Sequence, residues 1–248
     1  MPLHAIFDDA PRSFGQDDFV FRARLGSLTA RGEPVAHQSF RFTTGDPSVG
    51  DTLADLYGGT PESWDTKTEE SIQLLSDAKK LDVIFESLKS EYTLWGRGKQ
   101  PIRVCDGTTQ SDGKATPCAC REQVESVKEH KLAAKAGTAC QPTVKAAFRL
   151  ADSPEIGLGR FQSSSWSLAI GDPKWLKERL AGAGDVWQPP IDMIGSELDD
   201  LGGRAMGTLS VVEVSYENKT TKKNFTYTKP FIEITGPVTG DVEALISA

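Results

Sequence analysis

Apolar and polar positions alternate early in the chain. Phe19, Phe21, Ala23 and Leu25 are separated by Val20, Arg22 and Arg24, and residues 35–42 repeat the pattern, ending on Phe40 and Phe42. A period of two marks a half-buried strand. Gly32-Glu33-Pro34 punctuates the interval, so an antiparallel pair is expected. The period then lengthens. Val49, Leu53, Leu56 and Tyr57 fall on one helical face after the start signal Asp46-Pro47-Ser48. Gly58-Gly59 should close that helix, because glycine takes the left-handed C-terminal conformation cheaply.

Residues 67–95 fit two periods. Leu74, Leu75, Ala78, Leu81, Phe85 and Leu88 line a helix face, while Ile72/Leu74 and Leu81/Val83/Phe85 fit two strands. Periodicity alone does not separate the two for short apolar runs. Tyr92–Trp95 reads as a strand, and Ile102-Arg103-Val104 as another leading into Cys105. Residues 121–136 read as a helix closed by Gly137, and 143–150 as a strand. Residues 160–170 form a strand or a strand-to-helix junction. Asp172 and Pro173 open a short helix over 172–180, as N-cap and first helical residue. Residues 185–207 look irregular around a short helix at 196–201, and 209–216 with 225–234 form the arms of a hairpin turning at 218–223.

The resulting fold class is α+β: mostly antiparallel strands, a few short helices, and a loop–helix insertion carrying four cysteines. Residues 1–184 are expected to form the core, and the C-terminal hairpin region, 185–248, to belong to the same domain. At 248 residues the chain can bury a sizeable core, roughly 70–75% of its unfolded surface. It has no need of cysteine staples merely to fold.

No apolar run approaches the roughly 18 residues of a membrane span. The opening residues, 1–14, show no basic region, apolar core or small-residue cleavage site, so a cytoplasmic protein is expected. In a reducing compartment clustered cysteines more often mean metal or redox chemistry than disulfides. The net charge of −7 lacks the overall basic footprint of an autonomous nucleic-acid binder, and a protein partner is the easier reading.

All four cysteines, Cys105, Cys118, Cys120 and Cys140, lie in one stretch. Cys118 and Cys120 can face one point from a turn, with Cys105 at a strand end and Cys140 after a helix converging on it. Four thiolates suit one tetrahedral zinc ion. A catalytic zinc keeps an open position, so a closed shell of four thiolates should be structural. Unligated buried thiols, a redox pair and an iron–sulfur cluster are the competing readings. His130 could replace one thiolate, but in mid-helix it reads as a solvated residue.

Catalytic signals are missing. There is no phosphate loop and no H-E-x-x-H motif. Ser163-Ser164-Ser165-Trp166-Ser167 lacks the nucleophile elbow, and Asp8-Asp9, Asp17-Asp18 and Asp199-Asp200 read as solvated turns. The basic-aromatic patch is Lys219, Lys222, Lys223 and Lys229 interleaved with Phe225 and Tyr227. It could meet phosphates and bases, or be a solvated hairpin with its apolar face in the core.

Several stretches in order carry a resemblance: Leu3-His4-Ala5-Ile6-Phe7-Asp8-Asp9, Phe40-Arg41-Phe42-Thr43, Leu56-Tyr57-Gly58-Gly59 with Trp64, Tyr92-Thr93-Leu94-Trp95-Gly96, Cys105-Asp106-Gly107, Pro117-Cys118-x-Cys120, Ala139-Cys140-x-Pro142-Thr143, and Gly159-Arg160-Phe161 before Ser165-Trp166-Ser167. Together they resemble the recombination directionality factors of Streptomyces temperate phages that use large serine integrases. The resemblance implies a phage-encoded, non-enzymatic protein of the host cytoplasm. Such a factor binds the integrase, at the coiled-coil region beside its zinc-bearing domain, and meets DNA only through it. It shifts the integrase from integration to excision between the two hybrid attachment sites. The resemblance also favours strands over a helix at 67–88 and transfers no catalytic residue. The C-terminal hairpin, 208–235, is the expected partner surface, with Lys219, Lys222, Lys223, Phe225 and Tyr227. The alternative is a zinc-stabilised single-stranded nucleic-acid-binding or replication-associated phage protein.

Overall fold

A computed structural model describes residues 14–15, 18–29, 31, 33–64, 70–96, 100–114, 116–122, 126–171, 188–217, 222–238 and 240. One large sheet organises them. Its strands are β1 (Phe19–Leu28), β2 (Pro34–Thr44), β3 (Glu62–Ser63), β4 (Ile72–Leu75), β5 (Lys80–Trp95), β6 (Pro101–Cys105), β7 (Gln141–Leu150), β8 (Leu158–Ser163), β9 (Ala205–Glu217) and β10 (Asn224–Pro237). The order across the sheet is β10-β9-β5-β7-β8-β1-β2-β4-β3, with β6 also paired to β5. The pairings are antiparallel except for β1 with β8. The fold is α+β, as its period-two stretches imply.

Five helices are described: α1 (Pro47–Tyr57), α2 (Ala119–Glu122), α3 (Val127–Lys135), α4 (Trp166–Ile170) and α5 (Ile191–Asp200). In α1, Asp46 caps the start by accepting from the Ser48 N–H at 2.8 Å, and Gly58 ends it at φ +73°. Val49 and Leu53 are buried and Tyr57 stacks on Phe42, whereas Leu56 is 37% exposed and turns away from the expected face. Ile191, Ile194 and Leu198 bury one side of α5, so this helix begins five residues earlier than the short helix expected at 196–201. Among the described residues no helix is long and apolar enough to cross a membrane. The helix expected at 172–180 lies outside the described residues.

The ambiguity of residues 67–95 has a structural cause. β5 is a single long strand with a bulge: Phe85 pairs with Phe148 and Ser87 with Ala147, leaving Glu86 as the extra residue. Before the bulge Leu81, Val83 and Phe85 face the core, and after it Leu88 and Tyr92 do. The one-residue slip turns a period of two into a spacing that imitates a helix face.

Glu86 itself is buried, on the side of the sheet that carries Arg149. Its carboxylate, 4% exposed, pairs with Arg149 at 3.0 Å and Arg204 at 3.2 Å, joining β5 to β7 and to the residue before β9. The C-terminal hairpin is part of the same sheet, because residues 205–210 of β9 pair with residues 80–85 of β5. Phe21, Phe40, Phe42, Phe85, Phe148 and Phe161 fill the centre of the core, and Leu168 on α4 packs with them.

Candidate metal centre

Three strands bring the cysteines together. The end of β5 lies between β6 and β7, with Tyr92 paired to Cys105 on one side and Pro142 on the other. Cys105 is the last residue of β6, and Cys140 immediately precedes β7. Between them the chain folds into a tight loop. Asp106 accepts from the Thr108 and Thr109 N–H groups at 2.8 and 2.7 Å, forming a turn. The Cys118 N–H then donates to the Thr108 carbonyl at 2.7 Å, and α2 starts at once, carrying Cys120.

All four thiols are buried and free, and their sulfurs lie within 4.8 Å of one another. Tetrahedral binding with bonds near 2.3 Å puts sulfurs roughly 3.8 Å apart. Cys118 and Cys140 stand at 4.0 Å, close to that edge, and Cys118 and Cys120 are tighter at 2.8 Å. Four buried cysteine sulfurs around one point can bind a metal ion, and such a set leaves no open coordination position.

Burial opposes ionisation here, so the thiols depend on their neighbours. It pushes the Cys105 thiol up to about 12 and raises Cys140 further. At Cys118 burial also acts upward, but hydrogen bonds from Cys120, Cys105 and Arg103 outweigh it and hold the thiol at about 7. Arg103 supplies the cation, with its guanidinium nitrogen 3.8 Å from the Cys118 sulfur. The signal for Arg103 is present in the sequence: two positions before Cys105 on a strand, it shares that cysteine's face.

The expected helix over 121–136 is not continuous. α2 ends at Glu122, and α3 begins after Ser126, which forms a capping box with Glu129 at 3.3 and 3.1 Å. This break lets α3 lie against the cluster. His130 is neither solvated nor part of the sulfur set. Its Nε2 lies 3.0 Å from the Cys140 carbonyl, and its ring sits among Tyr92 and Trp166, with centroids 6.2 and 5.1 Å away. Trp166 therefore packs against the cysteine cluster, while Ser165 and Ser167 bond each other at 2.9 Å.

The residues expected to meet a partner are placed less uniformly. Lys219 lies outside the described residues, and Phe225 is described only as a backbone partner of Tyr216. Lys222 and Lys223 are exposed, Lys222 standing 3.5 Å from Glu217, and Tyr227 is 50% exposed. Lys229 departs from the expected surface patch, being 7% exposed, on the face of β10 opposite the core residue Ile232.

A family model described as Gp3-like, recombination directionality factor-like, matches residues 16–174. The chain belongs to this family. The match runs from β1 through α4 and so contains the whole cysteine cluster. The Gp3-like family connects the chain to phage recombination. No solved structure matches the chain.

Proposed function

We propose that this protein is a recombination directionality factor that binds a phage large serine integrase and turns it from integration to excision. The family match over residues 16–174 carries this reading. The role is non-enzymatic. The factor acts by protein contact with the integrase's coiled-coil region, reaches DNA through the integrase, and works in the cytoplasm of the bacterial host. The net charge of −7 accords with a protein partner. The exposed hairpin residues Lys222, Lys223 and Tyr227 are candidate contacts, on an arm that belongs with the core as one domain.

Thermodynamically, the factor must prefer one arrangement of the integrase on DNA. Equal affinity for both shifts nothing, and a nearly complete reversal requires a preference of about 10⁴-fold. The metal centre supports this role indirectly. We read its occupant as one structural zinc ion held by Cys105, Cys118, Cys120 and Cys140, which would tie the ends of β5, β6 and β7 together.

Recombination in vitro with a cognate integrase tests the proposal. Added protein should start recombination between the two hybrid sites and suppress that between phage and bacterial sites. If neither reaction changes, the proposal is wrong.

A further inference from the structure

Two pairs of arginines face each other across the strands. Arg22 on β1 is opposite Arg160 on β8, and Arg24 on β1 is opposite Arg41 on β2. The alternation that sends Phe21, Ala23, Phe42 and Phe161 into the core places these four on the other face of the sheet. Like charges directly opposite oppose strand pairing, so this ladder is maintained against a cost.

One carboxylate among the described residues answers it. Glu70 pairs with Arg22 and, at 2.9 Å, with Arg24, and accepts from the Thr43 hydroxyl at 2.7 Å. Arg41 has neutral partners, Gln73 Oε1 at 3.0 and 2.7 Å and the Trp64 ring, whose centroid is 4.3 Å away. Arg160 donates to Gln162 at 2.7 Å and lies 5.7 Å over Phe19. Burial, then Arg22, Arg41 and Arg160, lower the Arg24 guanidinium to about 10. Two hollows that share Arg24 open between these side chains. One, of about 180 Å³, is bounded by Arg22, Arg24, Arg160 and Gln162. The other, of about 690 Å³, is bounded by Arg24, Arg41, Trp64, Gln73 and Val35.

We propose that this face is a docking site for an acidic, partly apolar segment of a protein partner, its carboxylates seated on Arg24 and Arg160, with the buried Arg41, 5% exposed, adding its charge. Planar guanidinium groups match carboxylates in a fork-to-fork manner, and Glu70 already bridges two arginines of the ladder, one oxygen on each. Val35 and Trp64 provide apolar wall for side chains between the acids. A nucleic acid would meet the same arginines through its phosphates, and the oligothymidylate arm of the titration separates the two. Its arginines are not those of the C-terminal hairpin, although β10 reaches β2, where the Thr228 hydroxyl donates to the His37 carbonyl at 3.3 Å. The inference rests on the reading of the protein as a partner-binding factor.

The test is a fluorescence-anisotropy titration of the full chain with a short labelled peptide of alternating glutamate and leucine, beside single-stranded oligothymidylate. The peptide should bind, more weakly as salt rises, and the combined substitution Arg24→Gln and Arg160→Gln should weaken it roughly tenfold or more. Arg160→Gln alone should weaken it while leaving Tm unchanged or raised, because it removes the repulsion from Arg22. Undetectable peptide binding, affinity unchanged in the folded variants, or oligothymidylate held more tightly through the same arginines would each overturn the proposal. No integrase is present in this titration, so its failure is separate from a failure of the recombination assay.

Discussion

His130 Nε2 donates to the carbonyl of Cys140 across 3.0 Å, fastening helix α3 to the residue where the cysteine cluster meets β7. A carbonyl can only accept, so this nitrogen carries the proton. The ring therefore supports the centre from outside the sulfur set. His130→Ala should cost about 1–2 kcal/mol, through the lost hydrogen bond and ring contacts, and lower Tm by roughly 2–4 °C per kcal/mol for a chain of this size. Metal content by native mass spectrometry should stay at the wild-type value. Loss of one equivalent of metal would make His130 a ligand and overturn this assignment.

Replacing a ligand has the opposite signature. On the proposed zinc assignment, Cys118→Ser and Cys140→Ser should each lose the ion and lower Tm well beyond His130→Ala, because structural zinc in small peptides contributes on the order of 10–16 kcal/mol. Hydrogen exchange should report the loss first in the loop from 105 to 118 and in α3, which pack on the sulfurs. A wild-type protein purified without metal, and indifferent to chelator, would remove zinc from the account.

Glu86 stands at the bulge of β5 between two arginines. Removing one partner from a buried ion cluster leaves uncompensated charge, which typically costs 3–5 kcal/mol. Glu86→Ala should therefore lower the urea midpoint strongly, and Glu86→Gln less, since the amide still accepts a hydrogen bond. Equal midpoints for Glu86→Ala and wild type would show that the cluster contributes nothing to stability.

Gly159 lies beside Phe21 in the parallel pairing of β1 with β8, and a Cβ there would enter the Phe21 ring. Gly159→Ala should destabilise by about 1–3 kcal/mol through overpacking. Thermal unfolding of the pair of variants Gly159→Ala and Gly159→Ala with Phe21→Leu checks the cause. The second should recover part of the loss if steric conflict with the ring is responsible.

Much of this protein was legible without coordinates where one local signal was sufficient. The strand pattern of β1, β2 and β7, the cap at Asp46 and the hairpin arms follow from short-range periodicity and turn chemistry. The exclusive clustering of the cysteines pointed to a shared centre, and the sulfurs do converge. Where two signals overlapped, the reading remained open or erred. The Glu86 bulge made one strand resemble a helix face, and the capping box at Ser126 divided what read as a single helix.

The arginine ladder lay further out of reach. Its members come from three strands far apart in sequence, and only the register of β1 with β2 and β8 makes them neighbours. The same holds for His130, whose mid-helix position gave no sign of the Cys140 carbonyl, Tyr92 and Trp166 around it. By itself the sequence determined which residues alternate, which cap, and which thiols share one stretch, because those properties depend on residues a few positions apart. Only the tertiary structure decided which side chains meet across the sheet, because strand register and the Glu86 bulge set the contacts between distant segments.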